Sequence, residues 1–209
     1  TPERPMKRFR IGLFAAVALY LIPMSAIAWR QGNQEFLLYA GAMVLMIAGV
    51  FALDRRVRFT PTTLIALALW GLAHMCGGLV PIHTHAGPAV LYAWRPIESL
   101  PRYDQVIHAY GFFVATLASA ECVRAAVAHD KPLRVGAGLA IAFSLMGMGL
   151  GSVNEIIEFV AVLTLPKTGV GGYTNTGWDL VSNAVGALSA AALLRLRGSV
   201  PAGAPASAL

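Results

Sequence analysis

Of the chain's 209 residues, 57% are hydrophobic and only 12% are charged, about half the charged share of an ordinary soluble domain. With a mean hydropathy of +0.65, its helices lack the charged faces that a water-facing bundle needs, and a soluble globular domain is excluded. The formal net charge of +6 is distributed as a membrane-topology signal, which argues against a nucleic-acid partner.

Six apolar runs are long enough to cross a hydrocarbon core, which takes about 20 helical residues: 11–29, 36–53, 62–81, 105–127, 135–163 and 178–194. The fold class expected is all-α, a polytopic transmembrane bundle. It forms one domain, residues 1–197. A tail, 198–209, follows, and its Ala, Pro, Gly and Ser predict disorder on the cytoplasmic side.

The first run follows Lys7, Arg8 and Arg10 and ends near Ala26-Ile27-Ala28, a pattern shared with cleavable signal peptides. It is expected to be retained as a span, with Thr1 left by removal of an initiator. Pro61, Pro101 and Pro132 lie just before spans, where a missing N–H costs little, and Pro166 follows one. The fifth run exceeds the bilayer requirement and must tilt, kink near 147–151 or emerge beyond the lipid. Within it, Gly147 and Gly151 predict close helix packing of the small-xxx-small kind.

Positive charge sets orientation. With the N-terminus cytoplasmic, the inner segments hold 12 basic residues: Arg4, Lys7, Arg8, Arg10, Arg55, Arg56, Arg58, Arg124, Lys131, Arg134, Arg195 and Arg197. The outer segments hold only Arg30, Arg95, Arg102 and Lys167. Both termini are therefore expected inside, in a multi-pass protein of the bacterial inner membrane. Cys76 and Cys122 then fall in opposite membrane halves, which forbids a disulfide.

Two outer loops stand out. Residues 82–103 carry His83, His85, Arg95, Glu98 and Arg102, and a loop of this length is more often functional than idle. Residues 167–177 hold Gly169, Gly171 and Gly172, then Tyr173-Thr174-Asn175-Thr176. Trp94, Tyr103, Tyr173 and Trp178 sit where interfacial aromatic anchors belong.

Paired polar residues one helical turn apart carry the chemistry: Asp104 with His108, Glu155 with Glu158 (and Asn154), and Asp179 with Asn183. Such spacings share a helix face, and ionisable groups inside a membrane segment mark function by default. By length and orientation all three pairs reach the outer surface, with His74 a few residues below it. Three uses are open. Asp104, His108, Glu155, Glu158, Asp179 and His74 are candidate ligands of a divalent metal ion. Oxygen ligands favour Mg, Mn or Ca, and histidines favour Zn or Fe. Alternatively the carboxylates act as acid–base or proton-relay groups, or the cluster only joins helices. Catalytic candidates are Asp104, His108, Glu158, Asp179 and Asn183, the last orienting Asp179. Glu121 is expected to snorkel or to pair with Arg124, and His129 to be unrelated. No nucleophile elbow, phosphate loop, His-Glu-x-x-His or Cys-x-x-Cys is present in the sequence, and the Glu-x-x-Glu spacing does not match a di-iron bundle.

The segments Tyr103-Asp104-Gln105-Val106-Ile107-His108, Asn154-Glu155-Ile156-Ile157-Glu158 and Trp178-Asp179-Leu180-Val181-Ser182-Asn183 resemble the YjdF-like family of bacterial inner-membrane proteins. More distantly they resemble the teicoplanin-resistance (VanZ-like) membrane proteins. The shared features are Asp-x-x-x-His, a Glu-centred motif and Asp-x-x-x-Asn-x-x-Gly, here Asp179, Asn183 and Gly186. The resemblance covers spans three to six and takes in His74; the VanZ-like proteins imply a role in the cell envelope. An Asn at 183, in place of a carboxylate, would weaken a carboxylate-rich metal site.

The resulting expectation is a periplasm-facing polar site performing metal-assisted or acid–base chemistry on an envelope lipid or lipid-linked phosphate, reached laterally from the bilayer. The alternative is a non-enzymatic protein, either a small transporter or an assembly partner of other membrane subunits. A transporter would need a polar trail through the inner halves of the spans, where the sequence offers only Thr116, Ser119 and Ser144.

Overall fold

The structure, a computed structural model, describes residues 3–84, 87–128 and 131–202. Six long helices run in chain order: α1 (Glu3–Arg30), α2 (Gln34–Val57), α3 (Pro61–Leu79), α4 (Tyr103–Val127), α5 (Ala137–Thr164) and α6 (Tyr173–Arg197). Each is long and apolar enough to cross a membrane. Their outward residues, such as Leu19, Leu45, Ile141, Leu163 and Leu188, are large, apolar and exposed, as a lipid-facing surface requires. An all-α polytopic bundle is the fold.

Local chemistry accounts for the helix ends. Asn33 caps α2 by accepting the Phe36 N–H at 3.1 Å. Thr60 caps α3, whose first residue is Pro61, a position where the missing N–H has no partner to lose. Gly198, at φ +75°, ends α6 in a left-handed turn that side chains with a Cβ avoid. The sixth span starts five residues before the expected 178. Tyr173-Thr174-Asn175-Thr176 is thus the first turn of α6 and not loop.

Packing centres on α4, which lies between α6, α5 and α3. Between apolar helices in lipid, association depends on close van der Waals contact and not on expulsion of water. Small residues provide it. Gly186 of α6 sits against the Ala109 carbonyl and the Phe113 N–H of α4, and Gly147 of α5 faces Thr116 and Ala187. Gly151 packs on Asn183, so the glycines of span five are used as expected. A second apolar core holds α1 to α2 and α3 through Ala28, Phe36, Tyr39, Met43 and Met75, and it reaches Ala161 of α5.

At the end where α1 begins and α6 finishes, polar groups tie the bundle together. Arg10 pairs with Asp54 at 2.5 Å, and Asp54 also accepts the Phe59 N–H at 2.9 Å. Glu121 is buried and does not snorkel. It accepts the Thr60 N–H at 2.8 Å and the Thr60 and Thr63 hydroxyls at 2.9 and 2.5 Å, holding the start of α3 on α4. Arg124, only 1% exposed, donates to the Val57 carbonyl at 2.6 Å. Two residues that read as inner positive charges are therefore buried fasteners.

Short strands complete the chain. β1 (Pro81–Thr84) and β2 (Gly87–Val90) pair antiparallel, followed by a single 3-10 turn, Leu91–Ala93, so the long loop is structured. β3 (Leu133–Arg134) pairs with β4 (Ser199–Val200), which places the start of the expected tail against the loop between α4 and α5; residues 203–209 lie outside the described residues. Cys76 and Cys122 are both free thiols.

Candidate functional site

The N-terminal turns of α4 and α6 and the last turns of α3 and α5 meet at the end of the bundle opposite the Arg10–Asp54 pair. Because α4 begins at Tyr103 and α6 at Tyr173, Asp104, His108, Asp179 and Asn183 all lie in regular helix, where a four-residue spacing puts each pair on one face. The glycine contacts draw these faces together.

His108 is the hub. Its Nε2 lies 3.6 Å from Asp104 Oδ1 and 3.9 Å from Glu158 Oε1. Its Nδ1 lies 3.0 Å from Asn183 Oδ1 and 3.6 Å from Glu155 Oε1. Two triads, Asp104–His108–Asp179 and His108–Glu155–Glu158, each bring one ligand atom per residue within 4.8 Å of one another. Five of the expected ligands thus converge.

Amides brace the carboxylates. Asn183 donates to Glu155 at 3.5 Å, Asn154 to Glu158 at 3.0 Å, and Asn175 to Asp179 Oδ2 at 2.6 Å. Asn183 was expected to orient Asp179; instead it joins His108 to Glu155, and Asn175 serves Asp179. Reading Asn175 as loop hid it, although it stands four residues before Asp179, the spacing that marks the other pairs. Asp179 is fully buried, yet its Oδ1 has no hydrogen-bond partner, and neither has Oε2 of buried Glu155. Unpaired oxygens this deep are costly unless a ligand or ion meets them. Among the described residues no lysine or arginine forms an ion pair with any of the four carboxylates.

His74 is in neither triad. Its Nδ1 is 2.5 Å from the Tyr92 hydroxyl, which also donates to the His74 carbonyl at 3.0 Å, and its ring stacks on Phe36 at 5.8 Å. Burial pushes the Tyr92 hydroxyl well above its usual pKa, and the nearby charges of Asp104 and Glu158 add to the rise. Nothing in the sequence singled out Tyr92; the close approach of its ring to Gly77 fixes it there. Tyr103, expected as an interfacial anchor, instead donates to the Ala73 carbonyl at 3.0 Å, whereas Trp94, Tyr173 and Trp178 are exposed. His83 is exposed on β1, and His85 and His129 lie outside the described residues.

Asp104 and Glu158 open into a cavity of about 670 Å³ lined also by Glu35, Phe36, Tyr39, His74, Tyr92, Arg102, Lys167 and Asn175. Its rim includes the strap 166–171, fastened where Gly169 N–H donates to Glu35 Oε2 at 2.5 Å. The volume is within the range of small-molecule sites, about 300–1,000 Å³.

A family model described as "Predicted membrane protein (DUF2238)" matches residues 10–199. The chain belongs to the DUF2238 family. That match runs from the first helix to the start of β4 and spans every residue of the site. No curated protein and no solved structure matches this DUF2238 chain.

Proposed function

We propose that this DUF2238 protein is a YjdF-like protein of the bacterial inner membrane, with both termini cytoplasmic. Its site faces the periplasm, holds a divalent metal ion, and acts on an envelope lipid or lipid-linked substrate. The observation that carries this reading is the pair of buried, unpartnered oxygens, Asp179 Oδ1 and Glu155 Oε2, within the His108 cluster. A cation between Asp104, His108 and Asp179 would meet the Asp179 carboxylate and offset carboxylates that, among the described residues, form no ion pair with a lysine or arginine. Asp104, His108, Glu158 and Asp179 would hold it, with Glu155 behind the imidazole. Such an ion supplies Lewis-acid polarisation of a substrate oxygen or an activated water. One imidazole among four carboxylates fits a hard or borderline ion such as Mg, Mn or Zn.

Two further observations support this over helix glue or transport. The helices already pack through Gly147, Gly151 and Gly186, so adhesion does not require a carboxylate cluster. The hydroxyls of Thr116, Ser119 and Ser144 donate to carbonyls of their own helices at 2.6, 2.8 and 3.0 Å, which commits the protons of the three groups that a relay toward the other face would use. The test is metal analysis of the protein purified in detergent. Wild type should carry a near-stoichiometric divalent ion and the Asp104→Ala/Glu158→Ala variant should not; equal trace contents would overturn the metal reading.

A further inference from the structure

Asp104 and Glu158 of the cluster line the cavity, and so do basic residues. Of the four basic residues that the sequence places at this end of the bundle, Arg102 and Lys167 both line the cavity. Arg102 is the residue immediately before α4. Its Nη1 is 3.5 Å from Asn175 Oδ1, and the Nδ2 of the same amide donates to Asp179 Oδ2 at 2.6 Å. A single amide therefore separates a guanidinium from the carboxylate cluster. At 3.5 Å that contact is weak, and it leaves most of the five N–H donors of the guanidinium for something else.

Resting on the reading of the cluster as a metal site, we infer that the cavity receives a phosphate monoester, whose charge is shared between the metal and Arg102 with Lys167. A cation held by carboxylates on one side and a guanidinium on the other is the pairing that clamps a phosphoryl group. Arg matches its oxygens two at a time, while Lys contributes a point charge. A monocarboxylate would leave one of the cations unmatched. Room for more than a phosphate is evident, since the cavity of about 670 Å³ continues along Phe36, Tyr39, Val90 and Tyr92. An apolar or glycerol-like body fits against that wall. The phosphate-bearing molecule is either a lipid whose headgroup enters the cavity or a free phosphate.

The experiment uses the full chain in detergent, with metal content measured on every preparation. Binding of dihexanoyl phosphatidic acid is compared with that of dihexanoylglycerol, which has the same chains and no phosphate. Wild type should bind the phosphatidic acid about tenfold tighter or more, and Arg102→Gln and Lys167→Gln should each lose most of that preference while keeping their metal. Displacement by millimolar inorganic phosphate assigns recognition to the phosphate alone; resistance to displacement assigns it to the lipid headgroup as a whole. Equal affinity for the two lipids, or undiminished preference in both variants, overturns the inference even where the metal is present. Arg102-dependent preference in protein without metal would retain the basic wall and sink the metal site instead.

Discussion

The Nδ1 of His108 and the Oδ1 of Asn183 lie 3.0 Å apart across the α4–α6 interface, and this contact determines which way the imidazole presents its lone pair. The amide nitrogen of Asn183 is turned to Glu155, so its oxygen faces His108 and must accept. In its neutral form the imidazole then carries its proton on Nδ1, between Asn183 and Glu155, which leaves the lone pair on Nε2, toward Asp104 and Glu158. Ligating histidines commonly donate their other ring N–H to such an outer partner, which orients the ring. The departure from a carboxylate at 183 is on this view a requirement, because an aspartate could not donate to Glu155.

Asn183→Asp should therefore weaken the site although it adds a potential ligand. Metal affinity should fall about 10- to 100-fold, as for lost outer partners of metal-bound histidine. Stability should fall by about 1–3 kcal/mol for the unpaired buried groups. Metal titration and unfolding in mixed micelles measure the two losses. An Asn183→Asp protein that binds metal more tightly than wild type would contradict the assigned tautomer.

Removing the hub should differ sharply from removing its neighbour. His108→Ala takes away the one residue common to both triads and should leave the purified protein without its ion. His74→Phe preserves an aromatic wall beside Phe36 and should retain the metal, since the Nδ1 of His74 is engaged by Tyr92. Elemental analysis of the two variants checks this, and metal loss in His74→Phe would return His74 to the ligand set.

Close packing makes a third contrast available. A Cβ on Gly186 would run into the Ala109 carbonyl, whereas one on Gly149 would meet nothing within 4 Å. Backbone cannot yield as a side-chain end can, so Gly186→Ala should cost at least the upper part of the usual overpacking range of about 1–3 kcal/mol. Gly149→Ala should be neutral within about 0.5 kcal/mol. Because Gly186 lies two helical turns beyond Asp179, splaying α4 from α6 should also lower metal occupancy, which unfolding curves and metal analysis report together.

The spans and the three polar pairs were legible in the sequence because both signals are local. Hydropathy over about 20 residues finds a span, and a spacing of three or four finds a face. What escaped depends on partners far along the chain. Asn175 was lost to a helix boundary misplaced by the glycines before it, which read as loop yet only precede the first turn of α6. Tyr92 reaches His74 because α3 carries Gly77 where the ring must pass, a coincidence that no periodicity encodes. Glu121 looked like a snorkelling charge and Arg124 like an inner positive one because both lie within two helical turns of the end of span four. Their burial follows from the turn between α2 and α3, whose free Thr60 N–H and Val57 carbonyl need partners.

The Arg10–Asp54 pair gives the last prediction, because it separates the fold from the site. Both side chains are buried, and Asp54 also holds the Phe59 N–H, so Asp54→Ala strands a guanidinium and a backbone donor together. Breaking a buried pair by removing one partner costs about 3–5 kcal/mol, while replacing both with apolar groups is often close to neutral. Asp54→Ala should accordingly be the less stable protein, and Arg10→Met/Asp54→Leu should recover most of the loss, short of the part owed to the unpaired Phe59 N–H. Both should keep wild-type metal stoichiometry while folded, since the pair stands at the opposite end of the bundle from His108. Unfolding in mixed micelles with elemental analysis of the folded fraction measures both quantities, and a double variant no more stable than Asp54→Ala would show that the pair contributes more than mutual charge compensation.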